Sequence, residues 1–337
     1  MSTASLRAIE SAPRSISAGE WTDHPSGFLA LSPRNQRFSL PSCEGFISYR
    51  EQGHHLFLFG GVHAPAMSRE LLLDEFIRLA EKKRRQLVSV QVRQSQAELF
   101  RSRGFTLNQL GTSYGLRLQN YSLAGKARMK LRNKIRRAQA LDISIHEVGH
   151  ELVRGPATFS LLQEVSERWL CGKAKKELDF MIGELGGPDQ PERRIFVAIQ
   201  GTGATARWLG FITYVPVHGE QSGYLHDLTR RLPDAPPGTM ELCNSVAMER
   251  LRADGATYLH FGFTPFVTSG EEPQGANRLV AWLIRKLARY GQSIYPAQTQ
   301  VDYKMKWGPD LIEPELVAVR PLSIRAIWDL LILTRSI

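Results

Sequence analysis

Residues 223–266, GYLHDLTRRLPDAPPGTMELCNSVAMERLRADGATYLHFGFTPF, contain the changes of pattern on which the fold assignment depends. The beginning of this stretch predicts a short strand over residues 223–228, which would place His226 and Asp227 near the strand exit. The prolines and glycine of residues 233–238 exclude a helix or a central strand for the next segment. A turn-rich loop therefore follows the strand.

The second part of this stretch changes to the periodicity of a helix. Apolar residues recur about every 3.6 positions after Thr239, which predicts a helix with Thr239 as N-cap, running to about Ala253 and ended by Gly255. Residues 258–263 return to a strand pattern. The helix N-terminus would offer N–H groups and the positive end of the helix dipole to an anion, beside Arg230 and Arg231.

The same stretch resembles the catalytic domain of the aminoacyl-phosphatidylglycerol synthases, the lysyl- and alanyl-phosphatidylglycerol synthase family. That family has Asp-Leu-x-Arg-Arg, then Pro-Asp-Ala-Pro-x-Gly-x-Met, then a strand ending in Gly-x-x-Pro. The matching residues here are Asp227, Leu228, Arg230, Arg231, Pro233, Asp234, Ala235, Pro236, Gly238, Met240, Gly262 and Pro265.

A basic run in the middle of the chain extends the resemblance. It carries no acidic residue, so an anionic ligand is its natural complement. The family's Leu-x-Gly-Lys-x-x-x-x-Leu-Arg connector is matched at Leu123, Gly125, Lys126, Leu131 and Arg132. The resemblance implies that the run binds tRNA through Lys126, Arg128, Lys130, Arg132, Lys134, Arg136 and Arg137.

The fold class indicated is mixed α/β. A helix ending in Gly104-Phe105 before a strand is typical of acetyltransferase-like (GNAT) folds, and the resemblance implies two tandem GNAT-like domains, each a mixed central sheet flanked by helices. The expected division is a flexible tail over 1–22, a first domain over 23–120, a basic connecting helix over 121–150, a catalytic domain over 151–320 and a C-terminal helix over 321–337.

Composition limits the class of protein and of partner. The chain has 337 residues with a net charge of +10 and a pI near 9.7, which favours a polyanionic partner such as RNA or anionic lipid. The N-terminus lacks the apolar centre of a signal peptide, and no window resembles a membrane span, so a cytoplasmic location is expected, with peripheral contact at the inner membrane face left open. Three widely spaced cysteines suggest no disulfide or zinc site, and Cys243 is expected to be a small buried side chain.

The resemblance implies transfer of an amino acid from its tRNA ester to a hydroxyl or amine acceptor. An aminoacyl ester is already activated, so no metal and no cofactor is expected. We hypothesise that Asp227 binds the α-ammonium of the aminoacyl group or acts as general base, and that Arg230 and Lys304 bind phosphate or the oxyanion. Lys304 is the lysine of the YKMKWG element shared with the family. The remaining substrate-binding candidates are Arg231, Gly238, Thr239, Lys306 and Glu271.

Other side chains are assigned to packing. His226 and His260 are expected to be packed strand histidines, and Trp169 to be a core residue. The C-terminal stripe of Ile324, Ile327, Trp328, Leu331 and Ile332 predicts either a docked helix or a membrane-surface helix.

The acceptor and the transferred amino acid stay open. The family's Gly-Phe-Ser-Leu-Gly is replaced here by LDFMIGELGG, and the acceptor could be a phosphatidylglycerol-type lipid or a small natural-product intermediate. Two competing functions are an acetyl-CoA-dependent N-acetyltransferase and a tRNA-binding protein without catalysis. The loop LPDAPPGTM has one glycine and three prolines, so it offers few N–H donors to a pyrophosphate, which disfavours acetyl-CoA.

Overall fold

A computed structural model describes residues 24–171, 180–181, 183–187, 189–268, 272–290, 297–323 and 325–335. The first half begins with a short helix and a three-stranded meander, continues through a helix into a parallel strand, and ends in a long strand. Its elements are α1 (Gly27–Ala30), β1 (Gln36–Phe38), β2 (Ile47–Gln52), β3 (His55–Phe59), α2 (Ala66–Lys82), β4 (Gln86–Arg93), α3 (Ala97–Arg101) and β5 (Thr106–Arg117).

The second half repeats this order. A meander is followed by a helical crossover into a parallel strand, two further helices and a long strand. Its elements are α4 (Met129–Gln139), β6 (Ile143–Glu147), α5 (Pro156–Cys171), β7 (Arg194–Gln200), β8 (Arg207–Val217), β9 (Gly223–Arg231), α6 (Thr239–Ala253), β10 (Tyr258–Pro265), α7 (Arg278–Tyr290), α8 (Ala297–Met305), β11 (Leu311–Arg320) and α9 (Arg325–Leu333). This repetition and the mixed α/β class agree with the prediction of two GNAT-like halves.

The halves share one sheet because each gives its last strand to the other. Within the described residues, eleven strands are ordered β1-β2-β3-β4-β11-β5-β10-β9-β8-β7-β6. Strand β11 pairs antiparallel with β4 and β5, and β5 also pairs with β10. The only parallel pairs described are β3 with β4 and β9 with β10, each joined by a crossover helix. The predicted domain boundaries stay a prediction.

Helices cover both faces of this sheet. Leu72 and Phe76 of α2 pack in a cluster with Leu56 and Leu58, whereas the alternating Phe57 belongs to a cluster on the opposite face. That second cluster extends to Val215 and Leu225 of the second half and is covered by α7 and α9. We call it the α7–α9 face.

Helix α6 lies on the other face of the second half. Tyr214 donates a hydrogen bond of 2.6 Å to Oδ1 of Asn244 on α6, while the next residue, Val215, belongs to the α7–α9 face. Helix α4 packs against α6. The basic connector is therefore on the side of the sheet opposite to α7 and α9.

Two local predictions around β9 and α6 are wrong. Strand β9 continues to Arg231, three residues beyond Leu228, so His226 and Asp227 lie inside it. The N-cap of α6 is Gly238, with φ of +96°, and not Thr239, because only a residue without Cβ adopts this conformation easily. The predicted strand, loop, helix, strand order is confirmed, as is the helix end at Ala253.

The C-terminal helix is docked, but through residues other than the predicted stripe. Asp329 is 3% exposed, and its Oδ2 lies 2.7 Å from Nδ1 of His55, with Ala326 beside it in the core. Trp328 and Ile332 point outward, 59% and 38% exposed. The helix is therefore docked, as one of the two predicted alternatives states, but the buried contact between Asp329 and His55 anchors it and the apolar stripe does not. Ile324 lies outside the described residues.

Among the described residues, none of the helices combines the length and apolar character needed to cross a bilayer.

Candidate functional site

The candidate site lies where β9 and β10 separate. These parallel strands pair only from Gly223 with Tyr258 to Leu225 with His260. Beyond that point β9 carries Asp227 and Arg230, and β10 carries the backbone groups that Lys304 binds. Polar groups are favoured at such a gap because the strand edges facing it have lost their ladder partners.

Asp227 forms a buried ion pair that the sequence did not reveal. Its Oδ2 lies 2.5 Å from an Nη of Arg193, and the two side chains are 3% and 5% exposed. Burial raises the pKa of the Asp227 carboxyl, while Arg193, Arg230 and the Gly183 N–H oppose that rise. A Cβ on Gly183 would come within 1.8 Å of the carboxylate, so this glycine allows the backbone to cover Asp227.

A bulge aims Asp227 out of the regular ladder. The register of β8 and β9 shifts between Ile212 and Tyr214, so Asp227 and Leu228 both face Thr213. The Leu228 N–H donates to Thr213 Oγ1 at 3.0 Å. Asp227 and Leu228 therefore both lack a regular ladder partner on β8, and the first of them carries the carboxylate.

Arg230 is buried and stacked. It is 5% exposed, its Nε is 3.4 Å from Ser166 Oγ, and its guanidinium carbon lies 4.0 Å from the ring centre of Trp169. Trp169, expected in the core, is instead half-buried and forms a platform for this cation.

We call the β9 and β10 sides of the gap its two rims. Lys304 takes the place of strand pairing on the β10 rim. Its Nζ donates to Gly262 O at 2.8 Å, Phe263 O at 3.1 Å and Thr264 Oγ1 at 2.8 Å, which uses all three ammonium protons. Burial lowers its pKa from 10.5 to about 7, opposed by the charge of Glu315. When it is protonated, Lys304 holds β10 at the gap and supplies a buried positive charge.

The charge of Lys304, on the β10 side of the gap, acts on a side chain of β9. Burial and the charge of Lys304 lower the pKa of His226, the residue before Asp227, to about 3. Two surface cavities in the described part of the chain, of 310 and 250 Å³, are lined by residues other than Asp227, Arg230 and Lys304. Contact of the trio with one substrate stays a prediction.

The predicted packing histidines are confirmed. His226 is 9% exposed and its Nε2 lies 2.6 Å from Thr229 Oγ1; His260 is 1% exposed and its Nε2 lies 2.8 Å from Gln221 O. Burial lowers the pKa of His260 to about 4. Cys243, also predicted to be buried, is 0% exposed.

The N-terminus of α6 is packed rather than open. A Cβ on Gly238 would come within 2.2 Å of the Lys134 carbonyl oxygen, and Thr239 is 1% exposed with Oγ1 donating to Pro236 O at 2.7 Å. Arg231, at the end of β9, is exposed. Helix α4 therefore occupies the position where the sequence suggested an anion.

Glu241 joins the connector to the end of α8. It is 8% exposed, and its Oε1 lies 3.4 Å from Nζ of both Lys134 and Lys306. A carboxylate in the first turn of α6 is favoured by the helix dipole and offsets these two cations. No local pattern in the sequence indicated this pairing.

The seven basic residues of the connector divide into two groups. Arg128 donates to backbone oxygens of Ser122 and Trp307, and Arg132 donates to Leu123 O and Gly125 O. Arg128 and Lys134 hold the connector against the protein, whereas the bonds of Arg132 stay within the connector. The exposed residues are Lys126, Lys130, Arg136 and Arg137.

Glu271 lies outside the described residues, whereas its neighbour Glu272 has a packing role. Glu272 Oε2 accepts from the Gln109 N–H at 3.1 Å and from Asn108 Nδ2 at 3.3 Å. The contacts of the candidate site residues that sequence reasoning missed are those of Arg193, Gly183, Ser166 and Glu241. Arg193 sits in an ordinary polar segment, so only its contact with Asp227 distinguishes it.

Comparisons with known proteins agree with this architecture. The family model described as phosphatidylglycerol lysyltransferase, C-terminal, matches residues 16–319. The lysylphosphatidylglycerol biosynthesis bifunctional protein LysX of Mycobacterium sp. (strain JLS) is 26% identical over 225 residues, covering 63% of this chain and 20% of that protein. The chain thus spans about a fifth of the length of this curated relative.

Two solved structures share the fold. The C-terminal domain of a lysylphosphatidylglycerol synthetase from Agrobacterium fabrum has a TM-score of 0.77 at 20% identity, covering 94% of each chain. The structure of L-PGS from Bacillus licheniformis has a TM-score of 0.73 at 21% identity, covering 94% of this chain and 93% of that one. With the family match extending over nearly the whole chain, the protein belongs to the phosphatidylglycerol lysyltransferase C-terminal family.

Proposed function

We propose that this protein transfers an amino acid from an aminoacyl-tRNA to the hydroxyl of a phosphatidylglycerol-type lipid. The observation that carries the proposal is the pair of rims at the β9–β10 gap, with a buried carboxylate and arginine on one and a buried lysine on the other. Family membership over residues 16–319 supports the same chemistry.

The reaction needs positioning and charge stabilisation. The acceptor oxygen attacks the ester carbonyl carbon, a tetrahedral oxyanion forms, and the bond from that carbon to the ribose oxygen of tRNA breaks. The proton of the acceptor hydroxyl ends on the ribose oxygen. Buried cations stabilise a developing oxyanion more than exposed ones, because the surrounding dielectric is low.

Asp227 suits either of two roles. Its raised pKa favours a general base, since a carboxylate with a higher pKa accepts a proton more readily. Its negative charge also suits a group that binds the α-ammonium of the aminoacyl end, in competition with Arg193 and Arg230. Arg230 and Lys304 would stabilise the oxyanion or the terminal phosphate.

The exposed cations of the connector suit the donor. Lys126, Lys130, Arg136 and Arg137 are exposed on the side of the sheet that carries α6. A row of cations without an acid binds the phosphate backbone of RNA irrespective of sequence.

The lipid acceptor would place the protein in the cytoplasm in peripheral contact with the anionic inner membrane face. A small hydroxyl or amine metabolite is the alternative acceptor.

Acetyl-CoA transfer is less compatible with the geometry. A pyrophosphate needs free N–H groups at the helix after the central strand. Here the Lys134 carbonyl packs against Gly238 at that position.

The test follows loss of the ester from a mixture of charged tRNAs, with and without phosphatidylglycerol, and identifies the aminoacylated product. We expect Asp227→Asn, Arg230→Ala and Lys304→Ala each to lower transfer by roughly 100-fold or more. Arg207→Ala, an exposed arginine of β8, is the control. Near wild-type transfer in all three variants, with far-UV circular dichroism unchanged, would refute the site. Saturable binding of acetyl-CoA without ester loss would support the competing enzyme, and RNA binding without ester loss the non-catalytic protein.

A further inference from the structure

Two helices that are separate in sequence rest on one face of the sheet. Ile284 of α7 and Ala326 of α9 belong to the same buried cluster, together with Phe57, Val88 and Val319 of the strands beneath. The outer sides of α7 and α9 therefore point away from the same sheet surface. Together they form what we call the two-helix surface.

The outer side of α7 is apolar and basic. Leu279 and Trp282 are 49% and 48% exposed, and Nζ of Lys286 lies 5.4 Å from the ring centre of Trp282. Three arginines of the same helix, Arg278, Arg285 and Arg289, are also exposed. Helix α7 contains no acidic residue.

The outer side of α9 repeats this chemistry. Trp328 is 59% exposed and Ile332, one turn later, is 38% exposed; Leu322, just before the helix, is 43% exposed. Arg325 is exposed beside them. The one acid of α9, Asp329, is 3% exposed and paired with His55 beneath the helix, so it adds no negative charge to the outer side.

We infer that the two-helix surface docks on an anionic lipid bilayer, with Trp282 and Trp328 entering the headgroup region and the arginines and Lys286 facing lipid phosphates. Tryptophan favours the boundary between apolar and wet regions, and each nearby cation strengthens attraction to an anionic surface. Exposed apolar side chains accompanied by cations on one face of the sheet complement a membrane better than they complement RNA, which offers phosphates but no apolar phase.

The surface also leaves the basic connector accessible. Helices α4 and α6 lie on the opposite face of the sheet, so the protein can rest on lipid while Arg136 and Arg137 remain exposed. The inference rests on the proposed function for the identity of the lipid, and it adds which surface of the protein contacts the membrane.

The experiment is sedimentation of the full chain with vesicles of phosphatidylcholine alone or mixed equally with phosphatidylglycerol. We expect the wild type to bind the mixed vesicles more tightly and to release them at high salt. Trp282→Ala with Trp328→Ala should weaken binding at least about tenfold, and Arg285→Glu with Lys286→Glu should abolish the preference for phosphatidylglycerol. Brominated lipid should quench tryptophan fluorescence in the wild type and not in the double tryptophan variant.

The matched control is Met67→Ala on α2, which is 89% exposed and on the opposite sheet face. Its vesicle binding should equal that of the wild type. The inference is overturned if the double tryptophan variant binds vesicles normally, if wild type binds neither kind of vesicle, or if the variant loses only self-association or only tRNA binding.

A dispersed short-chain phosphatidylglycerol separates this inference from the proposed function. The double tryptophan variant should transfer the amino acid to that acceptor at the wild-type rate while failing on vesicles. If wild type transfers to no acceptor yet its vesicle binding depends on Trp282 and Trp328, the proposed function fails and the docking surface stands.

Discussion

Removal of Arg193 should show how much this residue stabilises the buried carboxylate of Asp227. Arg193→Met retains most of the aliphatic stem but deletes the guanidinium, which pairs with Asp227 and lies 5.6 Å from the ring centre of Phe28. Both side chains are at most 5% exposed, so solvent cannot replace the lost partner. Breaking a buried pair in this way costs about 3–5 kcal/mol, a large fraction of the roughly 5–15 kcal/mol that holds a protein folded.

The pH dependence of this loss has a definite sign. Burial already raises the pKa of Asp227, and removal of Arg193 takes away the strongest opposing charge. A carboxyl whose pKa is higher in the folded state favours folding at low pH, and that contribution disappears as pH rises through the folded pKa. The stability deficit of Arg193→Met should therefore be smaller at pH 5.5 than at pH 8.

Urea unfolding followed by circular dichroism measures these free energies. Lys83→Met is the control, because its ion pair with Glu51 is 40% and 30% exposed and should contribute less than about 1 kcal/mol. Adding Asp227→Asn to Arg193→Met should restore part of the stability at pH 8. A deficit no larger than that of the control, or a double variant no more stable than the single one, would refute the buried-pair reasoning.

Three further predictions concern the cover of Asp227, Lys304 and the connector. Gly183→Ala should reduce transfer strongly because its Cβ would overlap the Asp227 carboxylate. Gly155→Ala is the control, because the nearest atom to its Cβ is 3.9 Å away, and it should keep the wild-type transfer rate. Equal activity of the two variants would contradict the close approach of Gly183 to Asp227. In the wild type the unfolding free energy should rise with pH from about 7 upward, because a lysine whose pKa is lowered on folding destabilises the protein as pH falls through that pKa; Lys304→Met should remove this rise. Urea titrations at several pH values measure the unfolding free energy. The same pH dependence in the wild type and the variant would contradict the prediction. Arg136→Ala with Arg137→Ala should lower tRNA affinity and its salt dependence without changing stability, whereas Arg132→Ala should lower stability. Filter binding measures the tRNA affinity, and thermal melts measure the stability. An unchanged dependence of tRNA affinity on salt in the double variant would count against RNA binding at the connector.

The periodic elements were predictable from the sequence. The apolar spacing after Thr239 and the glycine at position 255 define α6, because a helix repeats every 3.6 residues and ends readily at glycine. The motifs around Asp227 and Arg230 also indicated the family, since they combine fixed residues with the loop between a strand and a helix.

The limits of sequence reasoning are clear at α9. Its apolar stripe was compatible with a docked helix or with a membrane-surface helix, and the folded chain turns Trp328 outward. The reason is Asp329, which pairs with His55 from a strand 274 residues away and fixes the rotation of the helix. A contact at such separation leaves no local pattern.

The strand, loop, helix, strand order around α6, the basic connector and the family followed from the amino-acid sequence alone, and so did the hypothesis that Asp227, Arg230 and Lys304 form the site. The folded chain was needed to establish that β5 and β11 are exchanged between the halves, that Arg193 neutralises Asp227, and that Glu241 ties the connector to Lys306. Local periodicity follows from backbone geometry within a few residues, whereas strand exchange and buried ion pairs join residues whose proximity arises only when the whole sheet closes.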